Sequence, residues 1–178
     1  MTRTCTLLSR TVPFLLLGLT AGCGAVGNTS PRTLTSTDGL TRVLVPPGWA
    51  VRQDLNDEAD LQVGDVRNNA FLIVLSESKG DFEAMDYLAH SRLTREGFLQ
   101  SLATAQVTAG PFDLDIHGRR AVKYELSATV NGVRIVYFHV TVDGTRAFHQ
   151  ILAWTVPSQL ERNQQALDFL VNSFQEVG

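Results

Sequence analysis

The chain has 178 residues, of which 44% are hydrophobic and 19% are charged, a composition typical of one folded domain with a short additional segment. This apolar content excludes an intrinsically disordered protein. Arg3 and Arg10 precede Cys23 and no acidic residue does, so residues 23–178 carry 13 basic and 18 acidic residues. The negative balance excludes a nucleic-acid binder, because such proteins need an excess of Lys and Arg to neutralise phosphates.

The first predicted element is a secretory signal. A basic start at residues 1–10, an apolar run at residues 11–21 and small residues after it have the three-part form of a signal peptide. The run has about half of the roughly 20 residues that a membrane-spanning helix needs. Leu19-Thr20-Ala21-Gly22-Cys23 also resembles the bacterial lipobox, although Thr20 stands where that motif favours Leu. The resemblance implies cleavage after Gly22 and acylation of Cys23, which would anchor the protein to a membrane.

Cys23 therefore decides how the N-terminal part is interpreted. Cys5 would be removed with the signal and Cys23 lipidated, which leaves no thiol for a disulfide, a metal or nucleophilic catalysis. The alternative is an ordinary secretory signal in which Cys23 is incidental. Residues 24–37 are rich in Gly, Ser and Thr and predict a flexible tether. We therefore expect a signal at 1–22, a lipidated Cys with its tether at 23–37 and a domain at 38–178. The domain would lie on the extracytoplasmic face of the cell membrane, or on an outer membrane if the organism has one.

The first half of the domain predicts strands followed by a helix. The segment from Gly39 to Val51 predicts a strand, a Pro-Pro-Gly turn and a returning strand, with Trp49 in the core. A second pair is predicted at 61–66 and 70–76. Residues 80–103 predict a helix with Asp81 at its N-cap, and its predicted apolar face consists of Phe82, Met85, Ala89 and Leu93.

The second half predicts three long strands and a closing helix. Asn131-Gly132 and Asp143-Gly144 separate apolar runs at about 119–130, 133–142 and 145–155, and this dipeptide between such runs is typical of a two-residue hairpin turn. The last helix is predicted to begin at a capping box formed by Ser158 and Glu161. Its predicted apolar stripe consists of Leu160, Leu167, Val171 and Phe174.

Several of these segments together resemble a known group. They are VPPGW at 45–49, LIVLSESKGDFEAMDYLAH, DIHGRRAVKYELSATVNGVRIVYFHVTV and ALDFLVNSFQ. Over residues 34–177 they are similar to the PsbP-like fold, which includes bacterial lipoproteins of the LpqN and DcrB type. The resemblance implies an α+β fold, with an antiparallel β-sheet flanked by helices in an α/β/α sandwich. It also implies a binding or assembly module, and it brings no shared catalytic residues.

One candidate site follows from the predicted strand register. If both Asx-Gly turns have two residues, Tyr124 pairs with His139 and His139 pairs with Phe148. His139 and His149 then point to opposite faces of the sheet and cannot share a metal ion. The row Tyr124, His139 and Phe148 is either part of the core beneath a helix or one wall of a ligand pocket.

A second candidate site uses alternating polar residues. Asp113, Asp115 and His117 are predicted to share one face of a strand, where two carboxylates and an imidazole could hold a divalent metal ion. The same alternation is typical of any half-exposed strand. His90, followed by Ser91 and Arg92 on the predicted helix, is interpreted as solvated surface.

The sequence contains no G-x-S-x-G, H-E-x-x-H or Walker-type motif. We therefore expect a lipid-anchored extracytoplasmic binding or assembly module of the bacterial cell envelope, without catalysis and without a cofactor. Its partners would be the membrane, through Cys23, and an envelope protein or ligand that the sequence does not identify. The alternative is a carrier lipoprotein for a small ligand or a metal. Hydrolysis would require a deep polar pocket that brings a Ser within hydrogen-bond reach of a His.

Overall fold

A computed structural model describes residues 30–177. In chain order the elements are β1 (Arg32–Thr35), β2 (Thr41–Val45), β3 (Ala50–Val51), β4 (Leu61–Asp65), β5 (Ala70–Ser78), α1 (Tyr87–Ser101), β6 (Gln106–Ile116), β7 (Arg119–Val130), β8 (Val133–Asp143), β9 (Ala147–Thr155), α2 (Leu160–Asn172) and β10 (Gln175–Glu176). The predicted signal, Cys23 and the first part of the predicted tether lie outside the described residues. No helix within residues 30–177 is long and apolar enough to cross a membrane.

The strands form two antiparallel sheets. Seven strands lie in the order β3-β4-β5-β9-β8-β7-β6, and three lie in the order β1-β2-β10. Successive side chains on a strand point to opposite faces of a sheet. Accordingly, Tyr137 and His139 of β8 face α1, whereas Phe138 and Val140 pack in the core that includes α2. The two helices cover opposite faces of the large sheet, so the predicted α+β sandwich is confirmed.

The main core lies between the large sheet, α2 and β2. Leu167, Leu170 and Phe174 come from α2 and the turn after it, and all three are buried against apolar residues of the sheet. The predicted apolar stripe of this helix is confirmed at Leu167, Val171 and Phe174. Each fully buried side chain of this size contributes roughly 1.5–3 kcal/mol. This core is the principal source of stability.

The start of α2 differs from the prediction. Residues Pro157–Gln159 form a short 3₁₀ turn, and Gln159 precedes the helix without a side-chain capping hydrogen bond. The predicted capping box of Ser158 and Glu161 is therefore not formed. The 3₁₀ turn supplies the start instead, because its backbone already follows a helical path.

The start and the buried face of α1 also differ from the prediction. Asp86 is the N-cap and accepts a hydrogen bond from the Ala89 N–H at 2.7 Å. Asp81 lies in a separate 3₁₀ turn, Lys79–Asp81. The helix also packs on the sheet with a different face from the predicted one, so Leu93 is 51% exposed and His90 is fully buried. The apolar face predicted to include Leu93 is therefore wrong.

Two predictions near the N-terminus of the domain need correction. Residues 32–35 of the predicted tether form β1, which pairs with β2. The segment after the Pro-Pro-Gly turn does not return to β2, because β3 pairs with β4 in the large sheet. The chain thus crosses from one sheet to the other at this turn, where Gly48 has a φ of 86°. Trp49 is buried as predicted.

The two predicted Asx-Gly turns have different outcomes. Asn131 and Gly132 both have positive φ and join Val130 to Val133, as expected of a two-residue turn. After Asp143 the loop is wider, so Phe148 pairs with Asp143 and His139 pairs with Leu152. The predicted pairing of His139 with Phe148 is therefore wrong. Since the register differs by an even number of residues, the predicted faces of these side chains are unchanged.

Candidate functional site

The face of the large sheet beneath α1 contains a group of buried polar side chains. They belong to α1 and β8 and are His90, Ser91, Thr94, His139 and Thr141, which we call the α1 polar layer. All are buried except Thr94, which is half-buried. A smaller apolar cluster beside them includes Leu126 and Tyr137, and Phe98 packs edge-on against Tyr137. The α1 face is therefore mixed in character, in contrast to the apolar core beneath α2.

His139 lies at the centre of this layer. Its Nε2 is 3.2 Å from Thr94 Oγ1, and that hydroxyl donates to the His90 carbonyl at 3.1 Å. Because the hydroxyl has one proton, we assign the proton between Thr94 and His139 to the His139 ring. Burial, and to a lesser extent the nearby charge of Arg95, lower the pKa of His139 to about 4. His139 is therefore neutral at physiological pH.

His90 connects the layer to the protein surface. Its Nε2 is 2.7 Å from Oε2 of Glu77, whose side chain is 47% exposed. The His90 ring stacks on Phe148, with 4.7 Å between ring centroids, and Phe82 packs edge-on against His90. A fully buried imidazole is thus held between two aromatic rings, with one nitrogen bonded to a partly solvated carboxylate.

A cleft of about 260 Å³ opens beside the α1 polar layer. Leu75 and Gln150, which are paired across β5 and β9, lie side by side on the sheet in this cleft. The complete lining is Glu58, Leu75, Ser76, Glu77, Thr94 and Gln150, and we call this site the α1 cleft. Glu77 and Thr94 are the residues that bind His90 and His139, so the cleft walls are in direct contact with the buried histidines.

Several polar atoms of the layer have no hydrogen-bond partner within the described part of the chain. They are His90 Nδ1, Ser91 Oγ, His139 Nδ1 and Thr141 Oγ1. Leaving a buried polar atom unpaired costs about 1–3 kcal/mol, so an apolar layer of the same shape would be more stable. Local losses of stability from unpaired polar groups are typical of functional sites. The layer and its cleft are therefore our candidate functional site.

The structure places all three residues of the predicted ligand row against α1. Tyr124 pairs with His139 as predicted, and the Arg95 guanidinium lies 3.9 Å from the Tyr124 ring centroid. Phe148 pairs with Asp143 and not with His139, and it contacts His90. Ligand binding by Tyr124, His139 and Phe148 stays a prediction. Only the position of Phe148 is corrected. The wider loop moves it away from His139 along the sheet, but both residues still lie beneath α1.

The predicted metal row is not assembled. His117 has a φ of 53° and lies in the turn between β6 and β7, so it does not share a strand face with Asp113 and Asp115. Asp115 accepts a hydrogen bond from the Gly118 N–H, and His117 lies 3.3 Å from the Gln175 amide. Among residues 30–177 there is no group of three or more His, Cys, Asp or Glu side chains that could hold a metal ion.

A second polar cluster surrounds His149 on the α2 face. Ser76 Oγ is 2.8 Å from His149 Nδ1, and Glu176 Oε1 is 3.5 Å from His149 Nε2. The Glu176 oxygens accept hydrogen bonds from the Thr145 and Arg146 N–H groups. A Cβ on Gly144 would lie 2.6 Å from His149 Nε2, so the loop backbone covers the ring.

This cluster explains the wide loop after β8. Burial would raise the pKa of Glu176, but the two loop N–H groups and Arg119 lower that pKa to about 2. Burial lowers the pKa of His149. The structure thus brings a Ser within reach of a His, one of the two conditions set for hydrolysis. The Glu176 carboxylate is already bound to the loop, and we interpret the cluster as the contact that holds the loop.

Sequence reasoning missed the most buried residues of the candidate site. His90, interpreted as solvated surface, is fully buried, and Thr94, Glu77 and Gln150 were not singled out. The signal available was helical spacing, since positions 87, 90, 91, 94 and 98 share one face of a helix that begins after Asp86. The apolar residues Ala89 and Leu93 predicted a different buried face, and the polar face was therefore assigned to the surface.

No protein-family model and no curated protein matches the chain. Solved structures do resemble it. The cyanobacterial PsbP (CyanoP) of Synechocystis has a TM-score of 0.63 at 15% identity, covering 90% of this chain and 100% of that chain. LpqN of Mycobacterium tuberculosis, described as involved in cell envelope biogenesis, has a TM-score of 0.58 at 14% identity and covers 84% and 91%.

A third similar structure comes from a eukaryote. The Ran-binding protein Mog1p of Saccharomyces cerevisiae has a TM-score of 0.53 at 12% identity, covering 84% of this chain and 96% of that chain. At these identities the likeness extends to the fold alone. The chain has a PsbP-like fold, as the sequence resemblance implied.

Proposed function

We propose that the chain is a lipid-anchored binding module on the extracytoplasmic face of the bacterial cell envelope. Its fold is shared with an envelope protein, a cyanobacterial PsbP and a Ran-binding protein, and this supports a binding role. The proposal includes neither a catalytic step nor a cofactor. Cys23 would be the acylated residue and the domain would bind an envelope protein.

The observation that carries the binding site is the difference between the two helix faces. The α2 face carries the main apolar core and a polar cluster, at His149, which the loop backbone covers, whereas the α1 face has four buried polar atoms that are unpaired within residues 30–177, beside an open cleft. Polar groups that lower the stability of the fold are expected where a partner binds, because residues suited to binding are often not those that stabilise the fold most. We therefore assign partner binding to the α1 cleft.

The anchor is tested by metabolic labelling with an alkyne fatty acid. We expect label on the native chain and on Cys5→Ala, and loss of label from Cys23→Ala, because thioether acylation needs the Cys23 thiol. Cys5→Ala is the matched control, since Cys5 is the only other cysteine in the sequence. Label that persists unchanged on Cys23→Ala would contradict acylation at this residue.

The site is tested by photo-crosslinking in intact cells. A benzophenone amino acid at the exposed position Glu58, in the α1 cleft, is expected to give one discrete product with an envelope protein. The same group at the exposed Gln164 of α2 is the control. Leu75→Trp, which adds an indole inside the cleft, should abolish the Glu58 product without changing the control. Equal products at Glu58 and Gln164 would reject the assignment to this cleft.

The cleft also favours a second candidate function, that of a carrier for a small organic ligand. Its volume of about 260 Å³ is slightly below the usual range for small-molecule sites, which begins near 300 Å³. Native mass spectrometry of the purified protein is expected to show a retained mass under this alternative. That mass should disappear in Leu75→Trp, and a clean apo mass would count against a carrier.

A further inference from the structure

A shallow apolar groove lies beside α2, at the point where the described chain begins. Its volume is about 270 Å³ and its lining is Pro31, Pro46, Gln165, Ala166 and Phe169, which we call the α2 groove. Pro31 and Pro46 are neighbours because Arg32 pairs with Val45 across β1 and β2. The groove is therefore built jointly by the first strand pair and one side of α2.

The groove exposes apolar groups to solvent. Phe169 is 38% exposed, although its neighbours Leu167 and Leu170 on α2 are fully buried. Pro31, which also lines the groove, is exposed as well. Exposed apolar residues scattered singly are normal, whereas a contiguous apolar surface marks a site of interaction.

The length of chain before Pro31 indicates what covers the groove. Pro31 is the eighth residue after Cys23, and eight residue steps span at most about 29 Å when the chain is fully extended. An acylated Cys23 lies at the membrane surface. The groove is the apolar surface next to the start of the described chain, so it is held within that distance of the bilayer.

We propose that the α2 groove lies on the bilayer, with Phe169 among phospholipid acyl chains. This inference depends on the proposed acylation of Cys23. It also gives the orientation of the domain relative to the membrane. Contact at the α2 groove would turn the opposite face, with α1 and its cleft, away from the membrane. Partner binding and membrane contact would thus use opposite sides of the sheet.

The charges nearest the groove in the sequence are balanced. They are Arg32, Glu161, Arg162 and Asp168. We therefore expect the contact to depend on apolar burial and not on anionic headgroups. Membrane contact should be similar on neutral and on anionic vesicles.

The test uses the acylated protein reconstituted into phosphatidylcholine vesicles, with a benzophenone amino acid at position 169. Positions 93 and 133 are matched controls, because Leu93 and Val133 are also exposed apolar residues. The lipid adduct, measured by mass spectrometry, is expected to be at least about fivefold higher at 169 than at either control. Adding phosphatidylglycerol should leave this ratio unchanged.

Three outcomes would overturn the proposal. They are equal lipid adducts at all three positions, a crosslink from position 169 to residues 24–29 of the same chain, and a crosslink to a second copy. The intact mass reports separately whether Cys23 is acylated. If it is not, the Cys5→Ser chain is coupled through Cys23 to a maleimide lipid and tested again. An incorrect proposal for membrane contact at the α2 groove is thereby distinguished from an incorrect proposal for acylation of Cys23.

Discussion

At the residue scale, two ionisable groups are held in one charge state by their surroundings. His139 is kept neutral by burial and by Arg95, and Glu176 is kept ionised by two loop N–H groups and Arg119. A pKa that differs between the folded and unfolded chain makes stability depend on pH. These two residues therefore predict how acid destabilises the protein.

Glu176→Gln is expected to lower the free energy of unfolding by about 2 kcal/mol at pH 7, a value reduced for partial screening by solvent. The folded pKa of Glu176, about 2, lies below its ordinary value of 4.5. The contribution is therefore complete above pH 4.5 and is lost as pH falls toward 2. Urea unfolding at pH 7 and pH 3 measures this change, with the exposed Glu161→Gln as control. An equal loss at both pH values would contradict the assignment.

His139→Gln is expected to flatten the pH dependence of stability between pH 6.5 and 4. The folded pKa of about 4 lies below the ordinary 6.5, so the unfolded chain binds more protons in this range and stability falls with acid. Gln keeps a donor for Thr94 and does not titrate. The measurement is the free energy of unfolding across this range, with His117→Gln in the exposed turn as control. An unchanged slope in His139→Gln would show that His139 is not the responsible group.

At the element scale, the face of α1 that packs on the large sheet decides which residues enter the candidate site. The helix begins after Asp86 and packs with His90 and Thr94 toward β8 and β9, which leaves Leu88 and Leu93 at the surface. The segment before it, including the 3₁₀ turn at Lys79–Asp81, is not part of the helix. The face of α1 that packs on the sheet is therefore polar at His90 and Thr94, and the cap at Asp86 sets only where the helix begins.

Asp86→Ala is expected to lower the free energy of unfolding by about 1 kcal/mol, because the Ala89 N–H loses its capping acceptor. Asp81→Ala is the matched control and should have an effect below about 0.5 kcal/mol, as is usual for surface substitutions. Chemical denaturation compares the two variants. A larger loss from Asp81→Ala would restore the helix start that the sequence predicted.

At the scale of the whole molecule, the two helices cover sheet faces of different polarity. The face covered by α2 carries the apolar core, and the face covered by α1 carries unpaired polar atoms beside a cleft. Substitutions that remove apolar volume beneath α2 should therefore destabilise the fold. Substitutions that remove unpaired polarity beneath α1 should stabilise it.

Leu167→Ala is expected to lower the free energy of unfolding by about 3 kcal/mol, because it leaves a cavity in the main core. Thr141→Val is expected to raise it by about 1 kcal/mol, since it removes a buried hydroxyl that has no partner among residues 30–177. Both values are read from urea unfolding at pH 7. If Thr141→Val destabilises the protein, the Thr141 hydroxyl forms a hydrogen bond, and unpaired polar atoms on the α1 face do not lower its stability.

The sequence by itself determined the positions of six strands, β2, β4, β5, β7, β8 and β9, and the buried stripe of α2. These features depend on local periodicity and on turn residues such as Asn131 and Gly132, whose backbone preferences act within a few residues. The pairing of Tyr124 with His139 was predictable for the same reason. Resemblance to PsbP-like proteins added the α/β/α arrangement.

The tertiary structure alone decided the site. The loop after Asp143 is wide because Glu176, far along the chain, binds its N–H groups, and His90 is buried because α1 packs on β8 and β9, where Phe148 stacks on the ring. Neither contact is encoded in the residues next to it. The sequence places Cys23 within a lipobox-like motif, whereas the face left for a partner depends on how two helices of different polarity cover one sheet.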